Sequence, residues 1–140
     1  MNRNINTEVV IIGGGPSGYS AAFRCSDLGL NTILIEENNN LGGVCLNEGC
    51  IPSKALLHIA KVIKDAKKLS STGVYFEKPK VDLDKVRLWK EGLVHKLSQG
   101  LCLLSNKKNI TIIHGCGKFI NDNNICVYTK DNNNININFK

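Results

Sequence analysis

Two groups of residues in this 140-residue chain have types and spacing that could do chemistry. One is a pair of thiols, Cys45 and Cys50, inside Leu41-Gly42-Gly43-Val44-Cys45-Leu46-Asn47-Glu48-Gly49-Cys50-Ile51-Pro52-Ser53-Lys54. The other is a glycine-rich turn, Gly13-Gly14-Gly15-Pro16-Ser17-Gly18. On a regular helix, five residues at ~1.5 Å rise separate Cα atoms by about 8–9 Å. A disulfide needs less than about 7 Å. A Cys45–Cys50 bridge therefore requires a distorted helix, and Gly49 and Pro52 are the residues that permit one. A bridge closing so small a loop adds little stability, so the pair reads better as a redox couple than as a staple. Two other readings stand beside it. The thiols could be half of a zinc site completed by distant cysteines or His58, or they could be unrelated.

The glycine turn has the form G-x-G-x-x-G at Gly13, Gly15 and Gly18. It directly follows an apolar strand-like run, Glu8-Val9-Val10-Ile11-Ile12, and directly precedes a helical one. That context is what gives the pattern meaning. Gly13 allows the tight turn, Gly15 lets backbone approach a pyrophosphate, and Gly18 allows close helix packing. The helix N-terminus offers free N–H groups and partial positive charge to phosphates. Glu36 follows Gly18 by 18 residues, at the end of the next strand. An acid there accepts from ribose hydroxyls and repels a 2′-phosphate, so an ADP-ribose lacking that phosphate is expected. The turn alone does not distinguish NAD from FAD.

The elements that must position these residues follow from patterning. Val9–Ile12 and Asn31–Ile35 lack alternation, as strands buried on both faces do. Between them, Tyr19 to Leu28 carries Ala21, Ala22, Cys25 and Leu28 at helical spacing, with Gly29 as a stop. A helix is expected from about Val44 to Leu69, interrupted near Gly49 and Pro52. A second is expected over Asp82–Leu104, with Leu83, Val86, Trp89, Leu93, Leu97, Leu101 and Leu104 as its apolar face. After a turn region at Ser70–Pro79 and the second helix, Ile110–Ile113, Lys118–Ile120, Ile125–Thr129 and Ile135–Phe139 read as short strands. Polar turns at Asn121–Asn124 and Lys130–Asn134 separate them. The fold class is thus α/β, with a β-α-β unit and strands beyond it. Two parallel strands are too few for a stable open sheet, so the chain reads as a fragment.

Composition narrows the classes further. The chain is 42% hydrophobic and 21% charged, which argues against disorder, and no apolar run is long enough to span a bilayer. Residues Met1 to Thr7 are polar and leave no room for an export or transit sequence. The net charge of +6 is spread along the chain, without an arginine-rich patch, so it reads as solubility rather than nucleic-acid binding. Six cysteines without an export signal do not read as a disulfide scaffold. Cys25, Cys102, Cys116 and Cys126 read as small apolar residues. The asparagine tracts at Asn38–Asn40 and Asn132–Asn134 read as polar loop filler.

The stretch from Gly42 through Cys45 and Cys50 to His58, with Ile51-Pro52-Ser53-Lys54-Ala55-Leu56-Leu57 inside it, resembles the active-site signature of the dihydrolipoyl dehydrogenases. These are FAD-dependent members of the pyridine nucleotide-disulfide oxidoreductases. The resemblance extends from the opening strand–glycine–helix unit to Gly115-Cys116-Gly117-Lys118-Phe119. Glu48 departs from the small apolar residue that the signature leads one to expect.

The resemblance implies a Rossmann-like FAD-binding domain. Residues 1–140 are its N-terminal part, and residues 110–140 are a small antiparallel excursion. NAD-binding and dimerisation domains would lie outside the chain. Cys45 and Cys50 would be catalytic, with Cys45 the more exposed interchange thiol and Cys50 against the flavin. Gly13, Gly15, Ser17 and Gly18 would surround the pyrophosphate, and Glu36 the adenosine ribose. The run from Glu36 and Glu37 through Gly42, Gly43, Val44 and Cys45 would follow the cofactor. Lys54 would sit by the flavin ring and Gly117 by the adenine. No metal is implied. NAD⁺ would be the electron acceptor, through a domain beyond this chain. Partners would be the lipoyl domains of 2-oxoacid dehydrogenase complexes or of the glycine cleavage system, and a second copy in a homodimer. The setting would be a bacterial cytoplasm rather than a mitochondrial matrix. The thiol-exchange base in this family is a histidine paired with a glutamate near the C-terminus of the partner subunit. His58, His95 and His114 read as helix-surface or strand residues instead. A non-catalytic FAD-binding remnant and a glutathione- or mercuric-type reductase are the alternatives.

Overall fold

The computed structural model describes residues 3–131 and 133–140. Three strands, β2 (Val9–Ile12), β3 (Thr32–Glu36) and β4 (Thr111–His114), form a parallel sheet in that order. Helix α1 (Pro16–Asp27) connects β2 to β3. The connection from β3 to β4 is longer and contains α2 (Gly43–Asn47), α3 (Cys50–Lys68), a 3-10 turn at Leu69–Thr72, and α4 (Leu83–Lys107). A second sheet has the order β1-β7-β6-β5, formed by β1 (Arg3–Asn6), β5 (Cys116–Asn121), β6 (Asn124–Tyr128) and β7 (Asn134–Asn138). Strands β5, β6 and β7 are antiparallel neighbours, and β1 runs parallel to β7.

The parallel sheet is buried on both faces, which explains its unalternating apolar strands. Ile33 and Ile35 of β3 and Ile113 of β4 pack against Ile125, Val127 and Ile137 of the second sheet. On the opposite face Leu34 packs with Ala22, Leu41 and Ile110, bordered by Tyr19, Phe23 and Leu101. The molecule is therefore three layers, with helices, the parallel sheet and the mixed sheet stacked in turn.

Four expectations change. The segment Ile110–Ile113 does not open the antiparallel excursion but supplies a third parallel strand, with Ile33 opposite Thr111 and Ile35 opposite Ile113. Being apolar toward both layers, it belongs in the middle of the stack rather than on its surface. Residues Arg3–Asn6, read as a polar lead-in, form β1. Only Ile5 of that strand faces the core, while Asn4 and Asn6 accept from Asn136 and Asn138 on the outer face. The helix interruption falls at Glu48 and Gly49 and does not reach Pro52. Pro52 is the third residue of α3, where a missing N–H breaks no intrahelical bond. Finally, α4 docks by only part of its leucine stripe, with Leu101 against the core and Val86 and Leu93 half-buried. Leu83, Trp89 and Leu97 are exposed, and its buried residues are Ser98 and Ser105. Both hydroxyls find carbonyl acceptors, so small polar residues are buried there without an unpaired donor. Asp82 caps α4 by accepting from the Lys85 N–H at 3.1 Å. Of the polar turn at Lys130–Asn134, Asn132 lies outside the described residues, as Met1 and Asn2 do.

Candidate functional site

The glycine turn, Glu36, the 38–43 loop and the start of β5 converge at the carboxyl ends of the parallel strands, where open α/β sheets bind ligands. Gly13 has φ +97°, a left-handed conformation that favours glycine. A Cβ on Gly18 would lie 1.7 Å from the Gly13 carbonyl oxygen, so α1 folds back on the turn at contact distance. The expected roles of Gly13 as turn-former and Gly18 as close-packing residue thus have direct geometric causes. Helix α1 has Gly15 as its N-cap, no side-chain cap and no acidic residue in its first turn. Pro16 lacks an N–H, and the first helical bond runs from Tyr19 N–H to the Gly15 carbonyl at 3.0 Å. The N–H groups of Ser17 and Gly18 precede that bond and have no residue four back in the helix to pair with.

Glu36 is 5% exposed and acts as a clasp. Its Oε2 accepts from the Gly14 N–H at 2.7 Å, and its Oε1 accepts from the Asn38 N–H at 2.8 Å and Asn38 Nδ2 at 3.1 Å. A Cβ on Gly14 would meet Leu41 at 2.6 Å and Glu36 Oε2 at 2.8 Å. Hydrogen bonds of this kind contribute about 1–3 kcal/mol each when one partner is charged. Glu36 therefore sets the shape of the turn as well as facing the site. Asn38 is more than loop filler, and His114, in register with Glu36 on β4, lies with Nδ1 2.7 Å from the Asn38 carbonyl. A carbonyl only accepts, so that nitrogen carries the proton. Gly115 donates to the Glu36 carbonyl at 2.9 Å. None of Gly14, Asn38, His114 and Gly115 stands out by residue type. A signal for Asn38 existed in its position two residues after an acid, where an Asx side chain bonds local groups.

Gly42 and Gly43 have φ of +116° and +58°. The Gly42 N–H donates to the Gly14 carbonyl at 2.8 Å, and a Cβ on Gly43 would lie 2.8 Å from the Gly15 Cα. The two glycine loops are thus back to back, with no space for a side chain between them. Beyond them α2 presents Val44 outward and buries Leu46. Glu37, Ser17 and Lys54 are exposed and Gly117 is half-buried on β5. A Cβ on Gly117 would press on Ile35 at 3.2 Å, so close packing of the two sheets already accounts for that glycine.

Cys45 lies in α2 and Cys50 opens α3, with Glu48 and Gly49 between the helices. Gly49 has φ −114° and ψ −107°, which is not helical. This break brings the thiols together across five residues that a continuous helix would hold apart. A Cβ on Gly49 would sit 3.0 Å from the Val44 carbonyl oxygen and 3.5 Å from the Cys45 Cα. Both cysteines are free thiols. The Cys50 thiol beside Cys45 raises the Cys45 pKa above its ordinary value, desolvation adds to this, and the positive charge of Lys54 opposes it. The order of exposure is the reverse of that expected, with Cys45 half-buried and Cys50 exposed. Helical side chains lean toward the N-terminus, and the first residue of α3 has no preceding turn to lie on, while Cys45 is overlaid by Gly49. Among the described residues no group of three or more His, Cys, Asp or Glu could hold a metal. His58, His95 and His114 lie exposed on α3, α4 and β4. No helix among the described residues is long and apolar enough to cross a membrane.

Comparison with known proteins agrees with this geometry. The chain is 58% identical over 127 residues to a dihydrolipoyl dehydrogenase of Buchnera aphidicola subsp. Acyrthosiphon pisum, covering 91% of this chain and 27% of that protein. It is 55% identical over 125 residues to a dihydrolipoyl dehydrogenase of Vibrio cholerae, covering 89% and 26%. To dihydrolipoyl dehydrogenase 1, mitochondrial, of Arabidopsis thaliana it is 45% identical over 128 residues, covering 91% and 25%. The chain spans about a quarter of the length of these curated relatives. A family model for pyridine nucleotide-disulphide oxidoreductases matches residues 7–139. With the glycine turn, the acid clasp and the paired thiols all inside that span, the chain belongs to the pyridine nucleotide-disulphide oxidoreductase family.

Proposed function

We propose that this chain is the cofactor-binding, cysteine-bearing part of a dihydrolipoyl dehydrogenase that uses FAD and a Cys45–Cys50 disulfide to oxidise dihydrolipoamide. The observation that carries the reading is the helix break at Gly49, which sets two thiols side by side beyond a double-glycine cradle. The cradle fits a dinucleotide. The uncapped first turn of α1 leaves the Ser17 and Gly18 N–H groups for a pyrophosphate. Glu36 keeps one lone pair on Oε2 for a ribose hydroxyl, since only the Gly14 N–H occupies that oxygen. Its carboxyl group disfavours a 2′-phosphate there. Gly42, Gly43 and Val44 form the surface between this end and the thiols, Glu37 flanks it, and Lys54 lies one turn beyond Cys50. Gly117, at the start of β5, is assigned to the adenine end.

In the oxidised couple, one thiolate of dihydrolipoamide attacks the Cys45 sulfur, the role that family membership assigns to the first cysteine although Cys50 is the more exposed here. A lipoyl–Cys45 disulfide forms, the Cys45–Cys50 bond breaks, and the electron pair leaves on the Cys50 sulfur. The second lipoyl thiolate then closes the ring, releasing Cys45 as a thiolate. The net change is dithiol plus disulfide to disulfide plus dithiol, with the two substrate protons passed to a base. Bound FAD would supply two-electron redox chemistry next to Cys50 and connect the pair to NAD⁺. The physiological donors are assigned as lipoyl domains of 2-oxoacid dehydrogenase complexes or the glycine cleavage system. The whole enzyme is assigned as a homodimer in a bacterial cytoplasm, in keeping with the bacterial relatives.

The test is a single half-reaction. Purified chain without flavin, oxidised at Cys45–Cys50, is mixed with dihydrolipoamide at mildly alkaline pH. The reading expects a single equivalent of lipoamide per chain and two new thiols mapping to Cys45 and Cys50. Glutathione reacting instead, with dihydrolipoamide inert, would overturn it in favour of a glutathione-type reductase.

A further inference from the structure

We propose that Ser98 is a positioning residue for the Cys45–Cys50 couple, acting from α4 through the Leu41 carbonyl on the short helix that carries Cys45. The inference rests on reading the two cysteines as a redox pair. Ser98 is 3% exposed, and its hydroxyl donates to the Leu41 carbonyl at 3.0 Å, across 57 residues of sequence. Leu41 is itself fully buried, and its carbonyl is also approached by Asn47 Nδ2 at 3.4 Å. The shorter bond of that amide, 3.0 Å, goes to the Gly43 carbonyl. Asn47 is the last residue of α2. One carbonyl thus joins α4, the glycine loop and the end of the cysteine helix.

This link matters because α2 has only five residues. A helix of that length does not hold itself together or choose its own direction. Its N-cap Gly42 and first residue Gly43 are left-handed glycines with more freedom than any other residue type. The orientation of Cys45 is therefore set by tertiary anchors. These are Leu46 in the core, the Gly42 N–H on the Gly14 carbonyl, and the Ser98–Leu41–Asn47 link. A second buried serine on the same helix gives the contrast. Ser105 is fully buried too, but its hydroxyl returns to the Leu101 carbonyl of α4 itself at 2.9 Å. Its bond steadies α4 without reaching the site. The serine at 98 is buried one place beyond Leu97 of the expected apolar face, and its donor goes to the loop before Cys45.

The readout is the effective concentration of Cys50 toward Cys45. Two cysteine thiols and glutathione disulfide give the intramolecular disulfide and two glutathione thiols, with both electrons passing from the cysteines to glutathione. The chain and its variants are equilibrated in glutathione buffers of graded ratio, quenched by alkylation, and the Cys45–Cys50 disulfide is counted by peptide mass. Losing one hydrogen bond of ordinary strength should lower the effective concentration about 3- to 10-fold in Ser98→Ala. Ser98→Thr should restore it to within about twofold, since the hydroxyl is kept. Asn47→Ala, which acts on the same carbonyl from the other side, should move it in the same direction. Ser105→Ala should lower the melting temperature without moving the equilibrium. The inference is overturned if folded Ser98→Ala keeps the parental equilibrium, or if Ser105→Ala shifts it as much. A parent chain that forms no Cys45–Cys50 disulfide at any glutathione ratio overturns the redox-pair reading itself, and the inference with it.

Discussion

Gly18 and Gly13 are both glycines of one short turn, yet they are there for different reasons. At Gly18 a Cβ would lie 1.7 Å from a backbone oxygen that cannot move without unwinding the turn. At Gly13 a Cβ meets nothing within 4 Å, and only the φ of +97° opposes it. Gly13→Ala should therefore cost about 1–2 kcal/mol, the price of a left-handed conformation for an L-residue. Gly18→Ala should cost clearly more, at or beyond the upper end of the roughly 1–3 kcal/mol seen for overpacking. Urea unfolding of the two variants, compared with the parent, checks the order, and equal losses would refute the assignment of roles. Much of the geometry of the candidate site was legible at this scale. The glycine spacing and the acid after β3 carry their own stereochemistry. What could not be read was how Glu36 is occupied. Its bonds from Asn38 are local, two residues apart, but the bond from Gly14 depends on β2 and β3 being neighbours, and a donor 22 residues away leaves no pattern in the chain.

Among the elements, the break between α2 and α3 has the most direct consequence for chemistry. The spacing of the cysteines demanded a distortion, and Gly49 supplies it with a non-helical ψ of −107°. Gly49→Ala would push its new methyl group to 3.0 Å from the Val44 carbonyl oxygen, tighter than ordinary contact. The two helix ends should separate slightly, and the Cys45–Cys50 disulfide should become several-fold easier to reduce by dithiothreitol. An unchanged reduction midpoint would show that the break does not set the thiol geometry. Helix α4 teaches the opposite lesson. Its leucines promised an apolar stripe, but the docked seam includes Ser98 and Ser105. Hydrophobic periodicity is blind to a buried hydroxyl, because such a residue is tolerated only where a particular carbonyl meets it. Strand β1 escaped for a related reason, since one inward isoleucine among asparagines makes no alternation long enough to see.

For the whole molecule, the three-layer stack holds the glycine turn proposed to take a dinucleotide and both members of a thiol pair. Its three histidines lie on α3, α4 and β4, and their side chains are all exposed. Sustained thiol exchange requires a base that takes protons from the incoming dithiol in every cycle. The purified 140-residue chain should accordingly exchange one disulfide and then stop. Steady turnover of lipoamide with NADH by this chain alone, followed as loss of nicotinamide absorbance, would show that these residues suffice without a further base. The local grammar of the sequence determined the β-α-β opening, the phosphate-type turn and the need for a kink between Cys45 and Cys50. Those follow from φ requirements and from side-chain periods that act within a few residues. Tertiary structure alone decided that Thr111–His114 joins the parallel sheet, that Cys50 is more exposed than Cys45, and that Ser98 reaches Leu41. Each of these depends on which distant segment becomes the neighbour, and burial, unlike backbone preference, is a property of the assembled layers.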